Sequence, residues 1–255
     1  MTDPLSGILC IDKAETWTSH DVVAVVRGVI GERRVGHGGT LDPLATGLLP
    51  VLVGSATKFV ERLHTATKVY AARVRFGAET ATDDREGAVT RSAAVPDRTR
   101  VEGALAGFRG VIRQQPPAYA AVKVGGRTAY SRARAGESVE LAAREVQVYR
   151  LVMARWSDGE CDLLVVCSSG TYVRALARDV GRAAGSAAHL AGLRRLAVGA
   201  LDVRDAIGID ALRSVGRDAA IGRLRPASDE VLVLDERYLT DPADRLVSGA
   251  GGIWS

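Results

Sequence analysis

Apolar residues occur along this chain in runs of distinct period, and each run predicts an element. Gly7 to Asp12 (GILCID) is almost unbroken in apolar residues, the pattern of a buried strand. Val22, Val23, Val26 and Ile30 then recur at helical spacing, which predicts a helix with Ser19 as its N-cap and a stop near Gly31. The glycine-rich stretch from Gly36 to Gly47 follows neither period and reads as an irregular loop, while Ser55 reads as the N-cap of a second helix running to about Leu63. From Val69 to Gly77 the period becomes two. Tyr70, Ala72, Val74 and Phe76 share one face and Arg73 and Arg75 the other, so a half-buried strand is predicted with Tyr70 facing inward. Thr80 to Arg100 is polar and reads as a loop, and Val101 to Phe108 as a short helix. Cys161 to Ser169 has the density of a buried strand, and Gly170 separates it from a helix marked by Val173, Leu176 and Val180. Leu193 to Val203 reads as a turn or strand edge with a basic tip, and Ile209 to Leu212 as a short helix. Beyond about Asp229 the pattern weakens, and no internal repeat appears.

Composition narrows the class. Of the 255 residues, 47% are apolar and 25% charged, the balance of an ordinary globular protein, with room for one large core or for one domain and a small appendage. No apolar run is long enough to span a bilayer. The start, MTDPLSGILCIDKAE, lacks the basic region, apolar stretch and cleavage site of a secretory signal, and Cys10, Cys161 and Cys167 form no metal-like pair spacing. A cytoplasmic, reduced protein without structural zinc is expected. The net charge of +4 is mild, but its distribution is not even. Between Arg113 and Arg134 the chain carries Arg113, Lys123, Arg127, Arg132 and Arg134, no acidic residue, and Tyr119 and Tyr130. Cations for phosphates beside aromatic rings for bases are the combination of an RNA surface; a solvated basic loop is the alternative.

The segment GGTLDPLATG holds the main candidate for chemistry. Gly38 and Gly39 allow backbone shapes and close approaches that a side chain blocks, and Pro43 biases Asp42 away from the helical region, so the loop can present one carboxylate. Asp followed by Pro is equally a helix N-cap and first helical residue, and local spacing leaves both open. No P-loop, dinucleotide fingerprint, HExxH motif or nucleophile elbow is present. His20, His37, His64 and His189 are scattered and supply no compact ligand set. No cofactor and no metal are therefore expected, and carboxylate chemistry is the economical choice.

Six blocks together resemble the bacterial tRNA pseudouridine synthase B family. They are GILCIDKAETWTSHDVV, RRVGHGGTLDPLATGLLPV, KVYAARVRFG, PPAYAAVKVGGRTAY, SSGTYVRALARDVG and LRRLAVG, in the family's order over roughly residues 7 to 205. The resemblance implies the pseudouridine synthase fold, an α/β (α+β) architecture with a mixed, largely antiparallel sheet flanked by helices and loops and a central RNA-binding cleft. It implies a catalytic domain over residues 1–230, with an RNA-gripping insertion near 113–145 that contains the basic segment. It also implies isomerisation of the T-loop uridine of tRNA, position 55 in standard tRNA numbering, to pseudouridine.

By the same resemblance Asp42 is the catalytic aspartate, Tyr70 the tyrosine on which the flipped base stacks, and Arg174 the arginine that pairs with the aspartate. Tyr172 and Leu193 line the uracil pocket, Lys13 supports the active site, and His37 enters the space the flipped uridine vacates. The family chemistry leaves three roles for the aspartate: bonding to the sugar, adding to the base, or assisting elimination to a glycal. Two departures stand out. Ala14, Glu15 and Thr16 follow Lys13 where the family usually has proline and glycine. Residues 231–255 resemble only the start of the family's C-terminal PUA-type RNA-binding domain, so acceptor-stem contacts are expected to be reduced and the basic segment to carry more of the binding. The expected partner is tRNA, with no membrane, no obligate protein partner and a monomeric chain. The rival expectations are an RNA-binding or tRNA-folding protein in which catalysis is absent or secondary, and a guide-RNA-dependent synthase subunit.

Overall fold

The apolar run GILCID becomes strand β1 (Ser6–Lys13), in which Ile8, Leu9, Cys10 and Ile11 are all buried. In the computed structural model, residues 5–119, 123–124, 127–128 and 141–248 are described. They divide into two compact units, the first comprising residues through Ala71 together with those from Leu193 onward, the second Ala72–Gly192.

The first unit continues from β1 into α1 (Ser19–Ile30), β2 (Val35–His37), β3 (Ala45–Gly54), a 3-10 turn (Ser55–Phe59) and α2 (Val60–Thr65). Strand β4 (Lys68–Phe76) carries the chain into the second unit. There follow β5 (Ala78–Thr80), β6 (Val89–Ser92), α3 (Arg98–Leu105), β7 (Gly110–Gln114), β8 (Lys123–Val124), β9 (Arg127–Thr128), β10 (Arg144–Ser157), β11 (Glu160–Cys167) and α4 (Val173–Ala183). Strand β12 (Ala188–Val198) returns the chain to the first unit, which ends with β13 (Leu201–Asp202), β14 (Ile207–Gly208), α5 (Ile209–Ile221), α6 (Arg237–Thr240) and α7 (Ala243–Ser248).

In the first unit β3 is the hub. It runs antiparallel to β1 from Ser6↔Gly54 to Lys13↔Gly47, antiparallel to β2, and parallel to β12 at Leu193↔Ala45, Arg194↔Thr46 and Arg195↔Gly47. β1 also pairs in parallel with β14. The sheet is therefore mixed. β3 can occupy this position because residues from Leu48 to Val53 present unbroken apolar surface, all of it buried. In the second unit β10 lies antiparallel between β7 and β11, β5 and β6 form a hairpin, and α4 buries Val173, Leu176 and Val180, the three positions its spacing singled out. The α/β class and the mixed, largely antiparallel sheet are as expected from the sequence.

Several local readings change. The N-cap of α1 is Thr18, one residue before Ser19, in a reciprocal capping box with Asp21, and Gly31 closes the helix in the left-handed conformation. Ser55 opens a 3-10 turn that lacks a side-chain cap. The polar stretch after Thr80 contains β6, and α5 continues to Ile221 with a break at Gly216. The largest change is at Leu193–Val203, which is no turn or edge with a basic tip: Ala188–Val198 is a strand buried along its whole length. Among the described residues, no helix is long and apolar enough to cross a membrane.

Candidate active site

Asp42 lies on the connection between β2 and β3, and the helix-cap alternative fails there because no helix follows Pro43. The Asp42 carbonyl accepts the Ala45 amide at 3.0 Å, which makes Asp42–Ala45 a turn with Pro43 at its second position, and β3 begins at once. Asp42 itself is half-buried. Gly39 has φ +128°, a value L side chains rarely adopt, so the GGT segment needs a glycine at this point.

Four separate groups hold the main chain on either side of Asp42. The Ser19 hydroxyl, buried and released from capping by Thr18, receives the Leu41 amide at 3.0 Å and donates to the Leu41 carbonyl at 3.3 Å. The Lys13 ammonium donates to the Pro43 carbonyl at 3.3 Å, and to Ala14 and Trp17 carbonyls at 2.9 and 2.7 Å. The Thr16 amide donates to the same Pro43 carbonyl at 2.9 Å. The guanidinium of Arg195 donates to Gly39 and Thr40 carbonyls at 3.0 and 3.4 Å, with its Nε on the Leu48 carbonyl at 2.8 Å. A loop tied through its backbone from β1, α1 and β12 keeps a fixed course whatever its own side chains do.

The register of the sheet explains why two cations meet beneath this loop. Lys13 and Arg195 are both paired with Gly47, one on each side of β3, so they project from the same face. Gly47 has φ +95°, and a Cβ there would lie 2.3 Å from the Arg195 carbonyl oxygen, so glycine is what lets β12 approach β3 this closely. The neighbouring pair shows the opposite face: Arg194, opposite Thr46, forms a two-point ion pair with Asp12 at 2.9 and 2.7 Å. Burial pushes the Lys13 ammonium down to about 8, with the Asp42 charge opposing that shift and Arg195 adding to it.

The other expected site residues of the first unit are close by. Tyr70, half-buried on β4, hydrogen-bonds Arg195 through its hydroxyl. Leu193 is two residues before Arg195 on β12 and therefore shares its face. His37 ends β2, its ring edge-on to His20 with centroids 5.6 Å apart, and its buried Nδ1 has no hydrogen-bond partner. Burial, reinforced by His20, Arg195 and His64, lowers His37 to about 4, so it is a neutral ring at physiological pH.

Arg174 and Tyr172 belong to the second unit. Arg174, in the first turn of α4, is buried; its guanidinium donates to the Thr82 and Tyr119 carbonyls at 3.0 and 2.9 Å and lies 3.6 Å from the Asp84 carboxylate. Tyr172 precedes α4 and is gripped by Gln114, which accepts its amide at 2.8 Å and donates to its carbonyl at 3.0 Å; the Arg144 guanidinium stacks on its ring. Arg113 is exposed on β7. Lys123 and Arg127 fall on the β8–β9 hairpin, and Arg132 and Arg134 lie outside the described residues. Among the described residues, no group of three or more His, Cys, Asp or Glu side chains comes together in a way that could hold a metal ion.

Two site features escaped sequence reasoning. Ser19, expected as a cap, holds the Asp42 loop instead, and Arg195, expected at the basic tip of a turn or strand edge, is buried within β12. The departure after Lys13 has its own consequence. Thr16 sits at φ +72°, a region costly for a β-branched residue by roughly 1–2 kcal/mol. Thr16→Gly keeps the amide that bonds Pro43 and is expected to raise Tm by about 2–4 °C after the glycine's own entropy is deducted, as read by thermal unfolding. A lower Tm would show that the threonine side chain makes contacts worth more than the strain.

Residues 27–173 match the family model described as TruB family pseudouridylate synthase (N terminal domain). Over 216 residues, 81% of this chain and 74% of its relative, the sequence is 49% identical to a tRNA pseudouridine synthase B of Thermobifida fusca (strain YX). Over 250 residues, 93% and 82% of the two chains, it is 47% identical to a tRNA pseudouridine synthase B of Leifsonia xyli subsp. xyli (strain CTCB07). Among solved structures, a chain of a Cbf5-Nop10-Gar1 complex superposes with a TM-score of 0.66 at 27% identity, covering 87% of this chain and 60% of that one. This chain thus spans less than two thirds of that structural relative.

Proposed function

Since the chain belongs to the TruB family of pseudouridylate synthases, we propose that it isomerises the T-loop uridine of tRNA, position 55 in standard numbering, to pseudouridine, with Asp42 as the catalytic residue. The general activity, uridine isomerisation in tRNA, goes with the family and with relatives of nearly half-identical sequence. The observation that carries the assignment to Asp42 is the convergence of Ser19, Lys13, Thr16 and Arg195 on the backbone around this one carboxylate.

The target carbon C1′ lies inside a folded RNA, so the nucleotide is extruded before reaction. Tyr70 offers its ring as the stacking surface that offsets lost base stacking, and neutral His37 fills the vacated space at little desolvation cost. Leu193, on the same face of β12 as Arg195, bounds the uracil while it turns. The N1–C1′ bond breaks and a C5–C1′ bond forms; C5 gives up its hydrogen as a proton and N1 gains one, so the reaction balances without cofactor or redox partner. Asp42 acts as the carboxylate that supports the broken linkage. The exposed Arg113, with the basic segment that follows it, supplies phosphate contacts. The setting is the cytoplasm, where tRNA is available.

The test is to map modified positions after incubating the purified chain with unmodified tRNA. Pseudouridine confined to the T-loop is the expected outcome. A site elsewhere overturns the substrate assignment, and refolded tRNA without pseudouridine favours a purely RNA-binding role.

Lys13 gives this reading a pH signature. Its value is about 8 in the folded chain against an ordinary 10.5, so raising the pH through 8 removes the positive charge next to Asp42. Turnover is expected to fall on an alkaline limb near pH 8. Between 8 and 10.5 the unfolded chain holds more protons than the folded one, so this group makes stability rise with pH over that window. Falling activity without a matching fall in Tm identifies the titration, and Lys13→Arg is expected to displace the limb upward. A limb unchanged in Lys13→Arg assigns it to another group.

A further inference from the structure

We propose that Arg195 is a positioning residue for the isomerisation, a buried guanidinium that fixes the Asp42 loop and the Tyr70 ring relative to one another. The resemblance gives Leu193 a role but none to Arg195, and the inference rests on the proposed roles of Asp42 and Tyr70.

Arg195 is 1% exposed, in the interior of a strand. Among the described residues its contacts are all with neutral oxygens: the carbonyls of Gly39, Thr40 and Leu48, and the Tyr70 hydroxyl. Burying a cation without a carboxylate is costly, and an apolar side chain of similar volume in this strand would serve stability as well or better. What the guanidinium adds is direction. It is planar, with donors at fixed angles. Nε on Leu48 ties it to β3, while Nη1 and Nη2 reach Thr40 and Gly39, two and three residues before Asp42. The phenol of Tyr70 meets the same group, so its ring orientation is referred to the same frame as the carboxylate. An attacking carboxylate and a stacking ring must hold the flipped nucleotide between them to within a fraction of an ångström, since misplacement by about 1 Å costs roughly a hundredfold in rate.

The experiment measures single-turnover pseudouridine formation at saturating unmodified tRNA, with tRNA Kd measured separately, for the full chain and for Arg195→Lys, Tyr70→Phe and their combination, alongside Asp42→Asn. Arg195→Lys keeps the charge but loses the planar fork. It is expected to lower the rate about a hundredfold with Kd within about threefold. Tyr70→Phe, which removes only the hydroxyl, is expected to cost about tenfold in the parent and nothing further in Arg195→Lys, because both changes break one link. If Arg195→Lys does not fold, Gly39→Ala strains the same contact from the loop side and is expected to show the same rate loss at unchanged Kd. A rate within threefold of the parent in a folded Arg195→Lys or Gly39→Ala, a loss confined to binding, or additive losses in the combination overturns the inference. An active Asp42→Asn instead overturns the underlying assignment of the aspartate.

Discussion

Asp42→Asn is expected to lower pseudouridine formation by at least about a thousandfold while leaving tRNA affinity within about threefold, because it removes the carboxylate proposed to react without moving the loop. The substitution is close to isosteric. The groups that hold this segment act on the main chain: Ser19 on Leu41, Lys13 and Thr16 on Pro43, Arg195 on Gly39 and Thr40. They remain in place when a carboxylate becomes an amide. All three roles open to the aspartate fail together, since a carboxamide neither bonds to C1′, adds to the base, nor accepts a proton in an elimination. Binding, by contrast, is proposed to draw on the stacking surface of Tyr70 and on cations such as Arg113, which the change does not touch. Single-turnover assays on unmodified tRNA, with affinity measured by filter binding, separate the two effects. An unchanged product yield would place the nucleophile elsewhere; a parallel loss of affinity would mean that Asp42 shapes the binding surface instead of reacting.

Much of the scaffold under Asp42 was legible because burial writes a simple pattern. GILCID and VYAARVRFG show their strand character directly, and the spacing of Val22, Val23, Val26 and Ile30 shows the inner face of α1. What the local pattern could not settle was whether Asp42–Pro43 opens a helix or a turn. Pro-Leu-Ala suits either, and the choice is made by β3, whose pairing on both edges recruits Ala45 onward. LRRLAVG misled for a related reason. Adjacent arginines normally mark solvent, since charged side chains are seldom fully buried. Here each arginine finds partners on its own face of the sheet, Asp12 for Arg194 and backbone carbonyls for Arg195, at sequence distances no local window spans. The apolar residues around that pair, AHLAGL before and LAV after, were the signal for a long interior strand. Ser19 shows the same limit at a smaller scale. T-S-H-D permits Thr18 or Ser19 as cap, and the Thr18–Asp21 box decides it, leaving the serine for the loop.

Arg174→Ala is expected to reduce turnover by about a hundredfold to a thousandfold and also to lower Tm, and the two losses have separable origins. Arg174 and Asp84 are both almost fully buried, with the guanidinium 3.6 Å from the carboxylate. Removing one member of such a pair strands the other, at a cost of about 3–5 kcal/mol. Asp84 is further fixed by the Thr82 hydroxyl at 2.5 Å and the Glu86 amide at 3.1 Å, so it cannot turn out to water without breaking the tight turn it organises. Arg174→Lys relieves the unpaired charge but not the geometry. Two different nitrogens of the fork serve Thr82 and Tyr119, and a single ammonium cannot hold both directions. Turnover in Arg174→Lys is therefore expected to stay at least about tenfold down while most of the stability returns. The decisive variant is Arg174→Ala combined with Asp84→Asn, in which no buried charge is left unpaired. If Arg174 acts on the reaction itself, the combination regains Tm and remains slow. Recovery of turnover together with Tm would reduce Arg174 to a structural partner of Asp84.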